Sequence, residues 1–188
     1  MKIKTAALVE CAVMIAIATI LSLIKIDWLL GGGITVCSML PLVLIAHRHG
    51  TKTGILAAFA YSVLQLVLGM DNVRYATNVW MAFAIAFLDY VLAYTVIGLS
   101  AVFDKKIQNP YCAIAAGIVF SFSLRLLCHF LSGWLIWEAL WPNERGWAAP
   151  VWSLAYNAAY MVPEMVISVV VGFLLLKPLR KYWNMDIK

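Results

Sequence analysis

Charge is scarce in this chain. Of 188 residues only 12% are Asp, Glu, Lys or Arg, while 64% are hydrophobic. A soluble domain averages about 25% charged and roughly 45–50% apolar residues. The chain therefore carries too little charge to cover a water-facing surface of its size, which excludes a soluble enzyme, a disordered chain and a nucleic-acid binder. Several motifs are missing as well. There is no GxxxxGK[ST] phosphate loop and no HExxH metal motif. The four cysteines, Cys11, Cys37, Cys112 and Cys128, form no CxxC pair and lie in or beside apolar runs. They read as small buried apolar residues, not as a disulfide frame or a zinc site. No inverted repeat relates the two halves, so a self-sufficient secondary transporter is not indicated. A chain of this kind that moves a solute actively takes its energy from a partner. No metal and no cofactor is expected.

Long apolar runs are abundant. Six stand out, bounded by polar, glycine or proline residues: Ala6 to Ile24, Ile34 to Ala46, Gly54 to Met70, Asn78 to Phe103, Tyr111 to Trp137 and Val151 to Leu176. The second is short and opens in a triple glycine, as a re-entrant or steeply capped segment would. The expectation is an all-α membrane protein, a bundle of six transmembrane helices forming one domain over residues 1–188. Lys2 and Lys4 before the first run, with Ala16 and Ala18 further on, resemble a signal peptide, but the length of the run and the five runs after it favour a retained helix.

Basic residues set the expected orientation. With the N-terminus inside, Lys2, Lys4, Arg48, Lys52, Lys105, Lys106, Lys177, Arg180, Lys181 and Lys188 fall on the cytoplasmic side, ten of fourteen. Lys25, Arg74 and Arg145 fall outside, and Arg125 lies within a span. Positive-inside bias thus accounts for the net charge of +5 without nucleic acid and puts both termini in the cytoplasm.

Ionisable groups inside a bilayer are expensive, so each is a functional candidate. At ~1.5 Å per residue from Trp80, Trp137 and Trp152, Asn157, His129 and Asp89 lie ~8–13 Å below the outer ends of their helices, and Arg125 and Glu164 ~18 Å below. The deeper pair reads as an ion pair locking the fifth and sixth helices. The shallower group reads as a solute pocket, or else as a hydrogen-bond knot between helices. Arg125, His129, Gly133 and Trp137 share a face by i, i+4 spacing, as do Asn157, Tyr160 and Glu164 by i, i+3, i+7. Gly133 leaves room beside His129 for a ring. Trp134, Trp137, Trp141, Trp147 and Trp152 crowd the same outer region, and Trp137 and Trp152 are candidate stacking plates for a flat or cationic aromatic ligand. Near Glu10, Ala12 and Ala16 form a small-xxx-small patch, suited to a partner helix or to ordinary packing inside the bundle.

The string GGGITVCSMLPLVLIAHRHG (Gly31 to Gly50) resembles the glycine-rich approach and second helix of thiamine-specific S components, the substrate-binding membrane subunits of energy-coupling-factor (ECF) vitamin transporters. FLDYVLAY (Phe87 to Tyr94), RLLCHFLSGWLIW (Arg125 to Trp137) and PVWSLAYNAAYMVPE (Pro150 to Glu164) agree with it in order and spacing. The resemblance implies a thiamine pocket near the outer face. It assigns the fourth-helix acid to Asp89 with the aromatic Tyr90 after it, the fifth-helix histidine to His129, the stacking aromatic to Trp137 and the sixth-helix asparagine to Asn157. Trp152 stands where the family commonly has a tyrosine. The resemblance also makes Ala12 and Ala16 a docking patch for the transmembrane coupling subunit, which works with two cytoplasmic ATPases. The loop from Asp27 to Gly33, with Trp28, Gly31, Gly32 and Gly33, is the candidate lid, or else a simple connector.

The leading expectation is therefore a bacterial multi-pass cell-membrane subunit, not an enzyme, that captures thiamine outside for ATP-driven uptake by its partners. Another vitamin or a thiamine precursor is the nearest alternative. A membrane-embedded hydrolase using Glu164, Arg125 and His129, or a purely structural membrane protein, would be alternatives of a different class.

Overall fold

The computed structural model describes residues 5–183, and within them the chain is mostly helical. Lys2, Lys4 and Lys188, counted above among the cytoplasmic charges, lie outside the described residues. Five helices are long and apolar enough to cross a bilayer: α1 (Thr5–Leu23), α3 (Thr51–Leu68), α4 (Val79–Ala101), α5 (Pro110–Leu140) and α6 (Ala149–Leu176). Their starts are written in the sequence. Asn78 caps α4 by accepting from the Met81 amide at 2.9 Å. Asn109 caps α5 ahead of Pro110, and Pro150 occupies the first turn of α6, where its missing N–H costs nothing.

The second expected span is where the structure departs. Ile34 lies in a short strand, and the chain turns helical only at Leu40, giving α2 (Leu40–His49). Ten residues cover ~15 Å, half of a ~30 Å hydrocarbon core. The run from Gly33 to Thr35 (β2) instead pairs antiparallel with Lys25–Asp27 (β1), and the hairpin follows the end of α1. At its turn Leu30 and Gly31 both take positive φ, 65° and 96°, which the glycine adopts without strain.

Apart from its last turn, α2 is the most enclosed helix. Leu42, Val43 and Ile45 are at most 2% exposed, packed with Ala58 and Tyr61 of α3, Ile97 of α4, and Ile114, Ile118 and Phe122 of α5. Small residues bring the outer helices close. A Cβ on Gly98 would strike the Gly54 backbone, and one on Gly117 would strike the Ser100 carbonyl, the kind of backbone contact by which membrane helices associate. The outward faces are apolar: Val79, Trp80, Val67, Leu174 and Leu23 are each more than 60% exposed, a surface matched to lipid. Cys11, Cys37 and Cys128 are buried thiols, while Cys112, in the first turn of α5, is exposed.

Polar groups gather at the two ends of the bundle. At one end Glu10 receives Arg48 at 2.5 and 2.8 Å and lies 2.8 Å from His49 Nε2, while His47 meets Asp104 at 2.9 Å. Arg48 also donates to the Lys181 carbonyl at 3.0 Å and lies over the Tyr182 ring, fastening the segment after α6. The opposite end holds the cavity.

Candidate functional site

A cavity of about 660 Å³ opens between α4, α5, α6, the C-terminal ends of α1 and α3, and the β1–β2 hairpin. That volume suits one small organic molecule. Asp89, Tyr90, Arg125, His129, Trp137, Trp152, Asn157 and Glu164 all line it. The residues that the sequence placed in two layers thus face one space.

Asp89 is its centre. The carboxylate is 8% exposed, and Oδ2 accepts from Ser132 Oγ and from Trp137 Nε1, each at 2.8 Å. Oδ1 lies 3.3 Å from His129 Nδ1. A carboxylate only accepts, so the facing Nδ1 carries the proton, and in a neutral ring Nε2 is then an acceptor. That Nε2 is buried and has no hydrogen-bond partner among the described residues. Asn157 Nδ2 donates to the His129 carbonyl at 3.3 Å and to the Ser153 carbonyl at 2.9 Å, and its Oδ1 accepts from Tyr160 at 2.8 Å. Interhelical hydrogen bonds in membranes average only ~0.6 kcal/mol. Bonds of that size fix positions more than they hold the bundle together.

Both Asp89 and Trp137 ride on π-helical segments, Ala86–Leu92 in α4 and Gly133–Trp137 in α5. The second explains how Trp137 keeps company with Arg125. Each i, i+4 step overshoots a full turn by ~40° in an α-helix, so three steps would carry Trp137 ~120° off the face. The wider π turn takes back part of that drift. Trp137 stacks on Trp141, ring centroids 5.4 Å apart and planes 11° from parallel, so one of its faces is already covered. Trp152 has Arg145 over it at 5.5 Å and Tyr156 at 5.9 Å.

Deeper in, Arg125 Nη1 donates to Glu164 Oε2 at 3.0 Å, and the guanidinium lies 5.1 Å from the Tyr94 ring. The pair does more than join α5 to α6, because Thr35 of β2 donates to the other Glu164 oxygen. The stem of the hairpin is therefore hydrogen-bonded to the charged floor. Gly32 lies so near the Tyr160 ring that a Cβ there would overlap it, and Gly31 packs beside Tyr156. Gly31, Gly32 and Gly33 line the cavity, whereas Trp28 does not and is 44% exposed.

Three further details correct or extend the sequence reading. Gly133 lines the cavity, and a Cβ there would meet Ser153 and Asn157 of α6, so the close approach of α6 uses part of the room it leaves. Tyr90 spends its hydroxyl on the Gly69 carbonyl at 3.0 Å while accepting from Asn72 at 2.7 Å. Ala12 and Ala16 are exposed on the outside of α1, so packing inside the bundle is not their role. Ser132 on Asp89, Tyr94 beside Arg125, Tyr156 on the cavity wall and Thr35 on Glu164 have no signal in the sequence. A serine in a helix usually bonds its own backbone, a threonine in a three-residue strand carries no pattern, and tyrosines near an interface are ordinary, so none of these signals a site.

Among known proteins, the chain matches the model of the thiamine transporter protein family over residues 8–184. It is similar to the thiamine transporter ThiT of Bacillus subtilis, 28% identical over 182 residues that cover 89% of this chain and 88% of that protein. ThiT of Lacticaseibacillus paracasei is 26% identical over 147 residues, 73% of this chain and 70% of the relative. The fold is similar to a solved structure of ThiT from Listeria monocytogenes, with a TM-score of 0.76 and 25% identity, covering 94% of this chain and 96% of that one. The relatives are bacterial transporters and five helices suit a bilayer, so this is a multi-pass cell-membrane protein and not an enzyme. The family model spans almost the whole chain, which belongs to the thiamine transporter protein family.

Proposed function

We propose that the chain binds thiamine outside the cell and delivers it as the S component of an energy-coupling-factor importer. The observation that carries this reading is a buried carboxylate, Asp89, hydrogen-bonded to the edge of the Trp137 indole at the wall of the cavity. Thiamine's thiazolium is a fixed cation, which a desolvated carboxylate and an aromatic face both stabilise. Its aminopyrimidine offers donors and acceptors that Asp89, His129 Nε2 and Asn157 complement. Tyr90, Trp137 and Trp152 supply the aromatic walls, and the hairpin carrying Trp28, Gly31, Gly32 and Gly33 is the lid. The similarity to ThiT supports the same ligand.

In this proposal residues 1–188 form one domain that crosses the bilayer six times, with both termini cytoplasmic. The segment from Gly33 through α2 makes the second crossing. The gathering of Arg48, Lys52, Lys105, Lys106 and Lys177 away from the cavity supports that orientation. Energy comes from a transmembrane coupling subunit and two cytoplasmic ATPases, since the chain has no phosphate loop of its own. The exposed Ala12–Ala16 patch is the docking point, where two small side chains admit a partner helix closely.

The test is a titration of ligand-free, detergent-purified protein with thiamine, riboflavin, biotin and hydroxymethylpyrimidine, read by tryptophan fluorescence. Thiamine alone is expected to quench saturably. Saturation by a different vitamin would change the substrate, and no response from folded protein would defeat the reading.

A further inference from the structure

Ser132 lies on α5, is fully buried and does not line the cavity. A serine inside a helix ordinarily returns its hydroxyl to a carbonyl of the preceding turn, as Ser121 does with Gly117 at 2.9 Å. Ser132 instead reaches across to α4 and donates to Asp89 Oδ2 at 2.8 Å. Trp137 Nε1 donates to the same oxygen at the same distance. Two donors occupy both lone pairs of Oδ2. Oδ1, beside His129, is the oxygen with acceptor capacity left.

The two oxygens of Asp89 are thus made unequal, and something must keep them so. The outer torsion of an aspartate is broad and roughly two-fold, and an unclamped carboxylate turns. Trp137 is a cavity wall, within reach of whatever binds. Ser132 sits behind the wall, where no ligand can displace it. Granting the thiamine reading above, on which this step rests, we infer that Ser132 is a positioning residue for ligand capture. It holds Asp89 so that Oδ1, next to His129 Nδ1, is the acceptor offered to an N–H donor of the ligand.

The experiment is a double-mutant cycle on the dissociation constant for thiamine, using the full chain with Ser132→Ala, Asp89→Ala and both together. Ser132→Ala is expected to weaken binding about tenfold, the scale of one hydrogen bond to a charged group. In the Asp89→Ala background the same change is expected to cost nothing more, since the group it acts through is gone. Ser132→Cys keeps the volume with a weak donor and carries the same test should the alanine variant not fold. Binding by Ser132→Ala within twofold of the parent would overturn the inference and leave the thiamine reading standing. So would an equal loss in both backgrounds, which marks a merely structural role. A folded parent protein that does not bind thiamine would overturn both.

Discussion

Trp137 Nε1 donates to Asp89 Oδ2 across 2.8 Å, joining two helices at points where each has widened into a π turn. Such turns are rare and occur often at functional sites. Here they bring a carboxylate and an indole together at the wall of the cavity. The anion and the aromatic wall of the proposed site are thus one hydrogen-bonded unit, and changing either member affects the other.

Trp137 contributes to binding in two ways that substitution separates. Trp137→Phe keeps a ring face but leaves Asp89 Oδ2 to Ser132 alone, and is expected to weaken thiamine binding about tenfold. Trp137→Ala removes the ring as well and is expected to cost about a further tenfold, within the range for a cation on an indole. Calorimetry reads both, free of the loss of the tryptophan signal. Equal affinities for the two variants would show that the ring face contributes nothing.

The Arg125–Glu164 pair is 6% and 2% exposed. Removing one member leaves a buried charge uncompensated, at a cost of ~3–5 kcal/mol. Arg125→Met alone is therefore expected to lower the melting temperature of the ligand-free protein sharply. Arg125→Met combined with Glu164→Leu is expected to recover most of that loss. A double variant no more stable than the single one would mean that the pair is not what the floor depends on.

The hairpin offers a matched control. A Cβ at Gly32 would overlap the Tyr160 ring, whereas one at Gly33 would meet Lys25 at an ordinary 3.7 Å. Gly32→Ala is expected to lift the hairpin and speed thiamine release about tenfold, the factor given by ~1.4 kcal/mol of lost seating. Gly33→Ala is expected to leave release near the parent rate. Stopped-flow displacement checks both, and equal rates would deny the hairpin its role as lid.

How much of this could be read from the sequence depends on the length of the signal. The five spanning helices are legible because their apolar runs are long and are punctuated by Asn78, Asn109–Pro110 and Pro150. The strand pair Lys25–Asp27 and Gly33–Thr35 is not, since three residues carry no period and Ile34 looks like the start of an apolar span. Counting residues down each helix was enough to pair Arg125 with Glu164 and to bring His129 near Asp89, because depth is linear along a helix. It could not show Ser132 on Asp89 or Thr35 on Glu164, which depend on the direction of short hydroxyl side chains.

Ala12 and Ala16 separate binding from delivery. Both are exposed on α1, remote from the cavity wall. Ala12→Trp with Ala16→Trp is expected to leave thiamine affinity within about twofold, below ~0.5 kcal/mol, while abolishing uptake by cells that also make the coupling subunit and ATPases. Undiminished uptake would remove this face from the proposed docking.

The most direct test of the central claim, that Asp89 captures a cation, compares thiamine with an uncharged analogue whose thiazolium is replaced by a neutral ring. Dissociation constants are measured for the parent protein and for Asp89→Asn. The parent is expected to prefer thiamine by about tenfold to a hundredfold, the range for an interaction with a charged group, and Asp89→Asn is expected to lose most of that preference. Equal preference in the two proteins would contradict the account, because the charge of Asp89 would then play no part in choosing the ligand.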